Sequence, residues 1–240
     1  MSYRFETDIA RHVWETRYRW CRPDGPVDGV IEDTWRRVAR ALAAAEPPAR
    51  RHPWEQAFYA ALADFRFLPG GRILAGAGTG RAVTLLNCFV MGTIEDSVDG
   101  IFAALREGAL TMQAGGGVGY DFSTLRPRGS RARSTGNVAS GPVSFMRIWD
   151  VTCATMLSTG ARRGAMMATL RCDHPDVEDF IDAKQTPATL SHFNCSVLIT
   201  DSFMEAVTRD ADWPLVFPAD ALAADGGTGA TVERDWPGRK

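Results

Sequence analysis

The chain lacks several features, and each absence removes a class of function. Its five cysteines, at 21, 88, 153, 172 and 195, are odd in number and form no CxxC pair. A zinc ribbon and a paired disulfide framework are therefore not expected. The four histidines, at 12, 52, 174 and 192, show no ligand spacing, so no metal site is expected. No apolar run approaches the ~20 residues that a membrane span needs, so no membrane partner is expected. Met1 to Arg11 mixes charges of both signs and has no apolar centre, unlike a secretory signal. The expected location is cytoplasmic, where these thiols stay reduced unless one is catalytic. Charge of one sign is also missing: 27 basic against 29 acidic residues leave −2, which argues against a broad nucleic-acid surface. There is no internal repeat.

What is present is ordinary in bulk. Of the 240 residues, 45% are hydrophobic and 23% charged, as in a globular protein with one sizeable domain, or a small domain plus part of a larger one. Basic residues gather only locally, over Arg126 to Arg133 and at Arg162 and Arg163. Such loops suit small phosphorylated ligands better than a duplex.

The first third reads as helical. Thr34 is placed to cap a helix whose apolar face is Trp35, Val38, Ala39 and Leu42, and Pro47-Pro48 ends it. Trp54, Phe58, Ala61, Leu62 and Phe65 repeat the pattern, so residues 1–66 read as a helical segment. Phe67 to Arg72 is a turn-rich hinge. From there the pattern alternates. Thr84 to Met91 reads as a buried strand, Ser97 caps a helix that stops at glycines 115 to 117, and Val118 to Ser123 is a second strand. Pro142 opens a helix running to about Leu157. Met166 to Cys172 and Phe193 to Ile199 are further strands, Leu215 to Phe217 a fifth, with short helices after Pro175 and from Asp201. Alternating strands and helices over 84–217 predict a parallel α/β sheet, within a second domain taken as residues 67–240. The tail from Asp220 to Lys240 carries no clear element.

Three features could carry chemistry. Cys88 sits in the middle of an apolar run, and by itself reads as a core cysteine; the functional reading needs neighbours that open the sulfur to a ligand. Gly115-Gly-Gly-Val-Gly119 lets a backbone pass close to something. It follows a helix, so it is not the dinucleotide fingerprint, and it lacks the Gly-Lys-Ser/Thr end of a phosphate loop. Ser158 to Ala165 puts Arg162 and Arg163 among small residues, fit either for solvent or for closing over a phosphate. His174 reads as part of a capping turn, and Asp176, Glu178 and Asp179 as first-turn charges that suit a helix N-terminus.

In order, these segments resemble class II ribonucleotide reductase, the type dependent on adenosylcobalamin. The resemblance rests on Phe67-Leu-Pro-Gly-Gly-Arg-Ile-Leu-Ala-Gly-Ala-Gly-Thr79, Leu86-Asn-Cys-Phe-Val90 and Gly115-Gly-Gly-Val-Gly-Tyr-Asp-Phe-Ser123. It continues through Ser134-Thr-Gly136, Ser140-Gly-Pro-Val-Ser-Phe-Met146, Arg162-Arg-Gly-Ala-Met-Met-Ala-Thr-Leu170 and Cys172-Asp-His-Pro-Asp176. It implies a helical segment followed by about half of the family's ten-stranded α/β barrel. It implies loss of the 2′-hydroxyl of a ribonucleotide by radical chemistry, with adenosylcobalamin as cofactor. Cys88 matches the first thiol of the family's reducing pair, which overrides its reading as core. Gly71, Asn87, Gly117 and Arg163 match substrate contacts. Asp96, Ser97, Arg126, the stretch Ser130 to Gly136, and Arg162 match contacts to a deoxynucleoside triphosphate effector.

The departures also matter. The family's radical cysteine lies in Asn-x-Cys-x-Glu, and Asn194-Cys195-Ser196 is not that motif, so Cys195 reads as core. The second reducing thiol, the C-terminal cysteine pair, the phosphate loops of the second half-barrel and an N-terminal ATP-cone are not found. Two readings follow. One is an N-terminal segment that needs a complementary C-terminal reductase chain, or a homodimer, to act. The other is a non-catalytic nucleotide-binding regulator or a remnant.

Overall fold

A computed structural model describes residues 3–130, 138–156, 166–185 and 189–218. The chain divides into two compact units. The first takes in Met1–Phe89 and Thr111–Gly117, the second Val90–Leu110, Val118–Met156 and the described residues that follow.

The first unit is helical. It holds α1 (Asp8–Val13), a π-helical turn (Trp14–Tyr18), a small antiparallel hairpin of β1 (Cys21–Arg22) and β2 (Gly25–Pro26), then α2 (Ile31–Ala43), α3 (Pro48–Leu62) and α4 (Gly71–Gly76). Its core is Trp14, Ile31, Trp35, Val38, Ala39, Leu62, Leu74 and Ala77, so the apolar face expected of α2 is the buried one. The expected cap is not. The helix begins at Ile31, and the Asp33 carboxylate accepts the N–H groups of Gly29 and Val30 at 3.0 and 3.1 Å, which is the acidic half of a capping box. Thr34 is used inside: its hydroxyl accepts from Trp14 Nε1 at 3.0 Å and donates to Asp28 at 2.8 Å. Asp28 is also paired with Arg37 at 2.9 Å, with both side chains buried. Arg37 reaches on to the carbonyls of Leu74 and Ala77 at the end of α4, where a cation suits the helix C-terminus. The face expected on α3 is weaker than its pattern suggests, since Leu62 alone is buried. Trp54 and Phe58, both half-buried, stack on each other, with Phe58 against the core, while Phe65, beyond a break at Asp64 (φ 57°), packs edge-on to Trp35.

After α4 come β3 (Cys88–Val90), α5 (Val98–Gln113), β4 (Gly117–Asp121), α6 (Pro142–Thr155), β5 (Met166–Arg171), α7 (Val177–Asp182), β6 (Phe193–Leu198) and α8 (Asp201–Thr208). These four strands form one sheet in the order β3-β4-β5-β6. β4 runs parallel to β5 from Val118 opposite Met166, and β5 parallel to β6 from Met166 opposite Phe193. The alternation in sequence thus yields the parallel sheet that it predicts. Met166, Ala168 and Leu170 of β5 are buried, whereas Met167 between them and Arg171 at the strand end are exposed. Parallel sheets are normally covered on both faces. Within the second unit, Tyr120, Phe122, Trp149 and Phe193 form an edge-to-face cluster. α5 lies close on β4 because Gly108 has no side chain; a Cβ there would stand 2.0 Å from the Tyr120 hydroxyl.

Two expected strands are corrected. Thr84 to Met91 is not a buried strand: only Cys88–Val90 pairs, Leu86 is largely exposed, and Val90 is 97% exposed. Leu215 to Phe217 forms no strand; Val216 makes one backbone bond, to Asp173 O. The hinge expected at Phe67 to Arg72 runs into the first turn of α4. Among the described residues no helix is long and apolar enough to cross a membrane, and no cluster of His, Cys, Asp or Glu could hold a metal ion.

Candidate functional site

Two groups of the expected site residues are drawn together, each within its own unit. The first surrounds Asn87 and Cys88. The Asn87 carbonyl accepts the N–H of Gly117 at 2.8 Å, and its side-chain oxygen accepts the N–H of Arg72 at 3.4 Å. Gly70 lies against the same amide, 3.4 Å from where its Cβ would be. Gly71, next in line, faces Tyr18, and a Cβ there would meet its hydroxyl at 3.1 Å. Thus the loop before α4 and the glycine run after α5 converge on Asn87. The glycines themselves have structural work. Gly115 takes φ +94° with the Arg72 guanidinium against it, and a Cβ on Gly116 would sit 2.6 Å from the Phe89 ring, so side chains are excluded here by packing. Cys88 follows Asn87 with its residue exposed, unlike Cys153 and Cys172, which are buried. Its exposure removes the objection that a strand cysteine belongs to the core. Burial pushes the thiols of Cys153 and Cys195 up, which favours their protonated form.

The second group lies at the start of α5. Ser97 caps that helix as its sequence predicts, accepting the N–H of Gly100 at 3.0 Å, and its hydroxyl donates to Glu95 at 3.1 Å. Asp96 is bound by Arg126 through Nε at 2.7 Å and through the backbone N–H at 3.2 Å. The pair is mostly buried, so its charge-assisted bonds are stronger than those of an exposed pair. Ser130 is not part of this contact: it is buried, and its hydroxyl donates to Pro127 O at 2.6 Å. Ser134 to Gly136, Arg162 and Arg163 lie outside the described residues.

His174 and Asp176 were expected to be a capping turn and a first-turn charge, and both are buried. His174 Nδ1 accepts the Asp176 N–H at 3.0 Å, which is the turn, while Nε2 donates to Leu125 O at 2.9 Å. The Asp176 side chain makes no bond to its own helix; it accepts the N–H of Arg128 at 2.8 Å. Spacing alone carries no signal for this, because the partners are about fifty positions apart.

Comparison with known proteins agrees with the geometry. A family model described as "Ribonucleotide reductase, all-alpha domain" matches residues 4–82, and one described as "Ribonucleotide reductase, barrel domain" matches residues 86–234. A vitamin B12-dependent ribonucleoside-diphosphate reductase of Mycobacterium tuberculosis is 46% identical over 76% of this chain and 27% of its own length. A protein of the same description from Thermoplasma acidophilum is 38% identical over 80% of this chain and 24% of its own length. A ribonucleoside-diphosphate reductase subunit alpha of Chlamydia trachomatis is 26% identical over 83% of this chain and 19% of its own length. The chain spans about a quarter of the length of the first two relatives. With the all-alpha model covering its helices and the barrel model its parallel sheet, the chain belongs to the ribonucleotide reductase family.

Proposed function

We propose that this chain is the N-terminal part of a reductase that converts ribonucleotides to 2′-deoxyribonucleotides, and that it contributes one reducing thiol and an effector surface. The observation that carries the reading is the exposed Cys88 thiol beside Asn87, where Gly117 and the turn at Gly70 to Arg72 converge. Substrate would lie along the backbone at Gly117 and Gly71, with Arg163 approaching it. Cys88 and a second cysteine outside this chain would supply two electrons and two protons. The C2′–O bond breaks, the oxygen leaves as water, and the two sulfurs form a disulfide. A deoxynucleoside triphosphate would bind at Asp96, Ser97, Arg126 and Arg162, with its base edge donating to a carboxylate and its phosphates meeting the arginines.

Adenosylcobalamin is the cofactor that the relatives' names imply, and it would supply the radical. The cavity that the first unit's residues line does not fit it. The cavity in the first unit, about 270 Å³ and lined by Phe5, Val13, Ile31 and Leu74 among others, is apolar. It falls below the roughly 300–1,000 Å³ of pockets for much smaller molecules. The partner is a complementary chain carrying the radical cysteine, or a second copy, and the cytoplasm is the compartment.

The test is reconstitution. Mixed with the C-terminal part of a vitamin B12-dependent relative, adenosylcobalamin and a dithiol, the chain should form deoxynucleotide, and Cys88→Ser should form none. Multiple turnover by Cys88→Ser would overturn the assignment.

A further inference from the structure

The stretch 126–140 leaves and returns at one buried acidic turn. On the outgoing side, Leu125 O is held by His174 Nε2 at 2.9 Å, and the Arg128 N–H by Asp176 Oδ2 at 2.8 Å. The Arg128 guanidinium is paired with Asp179 at 2.9 Å. On the return side, the N–H of Gly129 donates to Ala139 O at 2.8 Å, and the N–H of Ala139 to Ser130 O at 2.6 Å. The stretch then ends at Gly141, which has φ +79°. A Cβ there would stand 2.5 Å from Asp176 Oδ2 and 2.9 Å from Arg128 N. Both legs and the carboxylate therefore meet at one point, and only glycine fits on the return leg.

Two carboxylates hold two amides of one short segment: Asp96 takes the N–H of Arg126, and Asp176 takes that of Arg128. The residue between them is Pro127, whose ring fixes φ. A displacement at Arg128 is thus passed to Arg126, whose side chain grips Asp96. Burying Asp176 is a costly way to close a turn, and its Oδ1 has no hydrogen-bond partner among the described residues. What the charge provides is a stronger bond to Arg128 than a neutral acceptor would make.

We infer that Asp176, oriented by His174, is the positioning residue that sets the base of the 126–140 stretch, and through Arg128 the placement of Arg126 at the effector surface. The inference rests on the effector reading above.

The test uses the full chain and its variants Asp176→Ala, Asp176→Asn and Gly141→Ala. Amide exchange is followed at Gly129 and Ala139 and along β5 and β6, and affinity for dTTP and for dGTP is measured by calorimetry. Asp176→Ala should speed exchange at Gly129 and Ala139, and weaken deoxynucleotide binding, by about tenfold, the value of a single lost hydrogen bond. Gly141→Ala should do the same by driving the carboxylate off Arg128. Asn, which keeps the acceptor, should restore most of both effects. Exchange along β5 and β6 should not change. Unchanged exchange and affinity in Asp176→Ala would overturn the inference, as would faster exchange throughout β5 and β6, since that would mean a general loss of structure. A wild-type chain that binds neither nucleotide would instead overturn the effector reading and the inference with it.

Discussion

Arg126 holds both oxygens of the Asp96 carboxylate, with its backbone N–H at 3.2 Å from Oδ1 and its Nε at 2.7 Å from Oδ2. A nucleotide base that uses this carboxylate must therefore share it with an arginine. Asp96→Ala removes both carboxylate bonds to Arg126, costing about 1–3 kcal/mol of stability, and should weaken dTTP binding more than Ser97→Ala does. Urea denaturation and calorimetry on the same variants check both. An Asp96→Ala chain that binds dTTP as the wild type does would remove Asp96 from the effector surface.

Gly108 tests the packing of α5 on β4. Alanine is the better helix former by ~1 kcal/mol, yet its methyl would stand 2.0 Å from the hydroxyl of Tyr120, a buried ring held against Phe122 and Trp149. Overpacking of this kind costs about 1–3 kcal/mol. Gly108→Ala should lower the thermal midpoint, and Tyr120→Phe in the same chain should recover part of the loss. A Gly108→Ala chain more stable than the wild type would show that the contact is looser than described.

Much of this was legible in the sequence. The Ser97 cap, the apolar face of α2, the proline opening α6 and the β5 and β6 strands follow from local rules, because each depends on residues within one or two turns of each other. Thr34 was not legible as a buried hydroxyl, since its partners, Trp14 and Asp28, belong to other segments; the readable signal was Asp33, three residues into the first turn. Thr84 to Met91 has the apolar composition of a core strand but remains exposed, because burial depends on what lies opposite and not on composition. The convergence on Asn87 could be reached only through the family resemblance. The contacts of Asp176 could not be reached at all, since a carboxylate followed by a helix looks the same whether it faces solvent or a distant amide.

Stability should depend on pH through the His174–Asp176 pair. Burial holds His174 below its ordinary value, opposed by its bond to Leu125 and by the charges of Asp176 and Asp173, with Arg171 acting in the same direction as burial. The unfolded chain thus binds this proton more readily, so the stability that His174 confers is whole above about pH 6.5 and is lost as pH falls through its folded value. Burial raises Asp176, against the Arg128 amide, His174 and Arg128, with Asp179 adding to the rise. Its contribution has the opposite sense: it is whole below about pH 3.9 and is lost as pH rises through the raised value. Between about pH 7.5 and 5.5 the wild type should lose stability faster than His174→Gln, as read from urea midpoints. Parallel curves would mean that His174 titrates as an ordinary surface histidine.

The sheet leaves apolar surface in need of a partner. Met167 on β5 and Val90 on β3 are exposed, and so are Val98 and Phe102 on α5. Exposed strand edges and apolar patches favour association. In size-exclusion chromatography the lone chain should elute as a dimer or larger species and shift to a defined complex when the complementary chain is added. A stable monomer at high concentration would count against both partners.

The proposed role of Cys88 is to deliver reducing electrons to a ribonucleotide. The most direct test is a single turnover of the reconstituted complex without added dithiol, followed by peptide mapping of the thiols. About one deoxynucleotide should form per active site, with Cys88 recovered in a disulfide to a cysteine of the complementary chain while Cys153 and Cys172 stay free. Deoxynucleotide formed with Cys88 still a free thiol would contradict it.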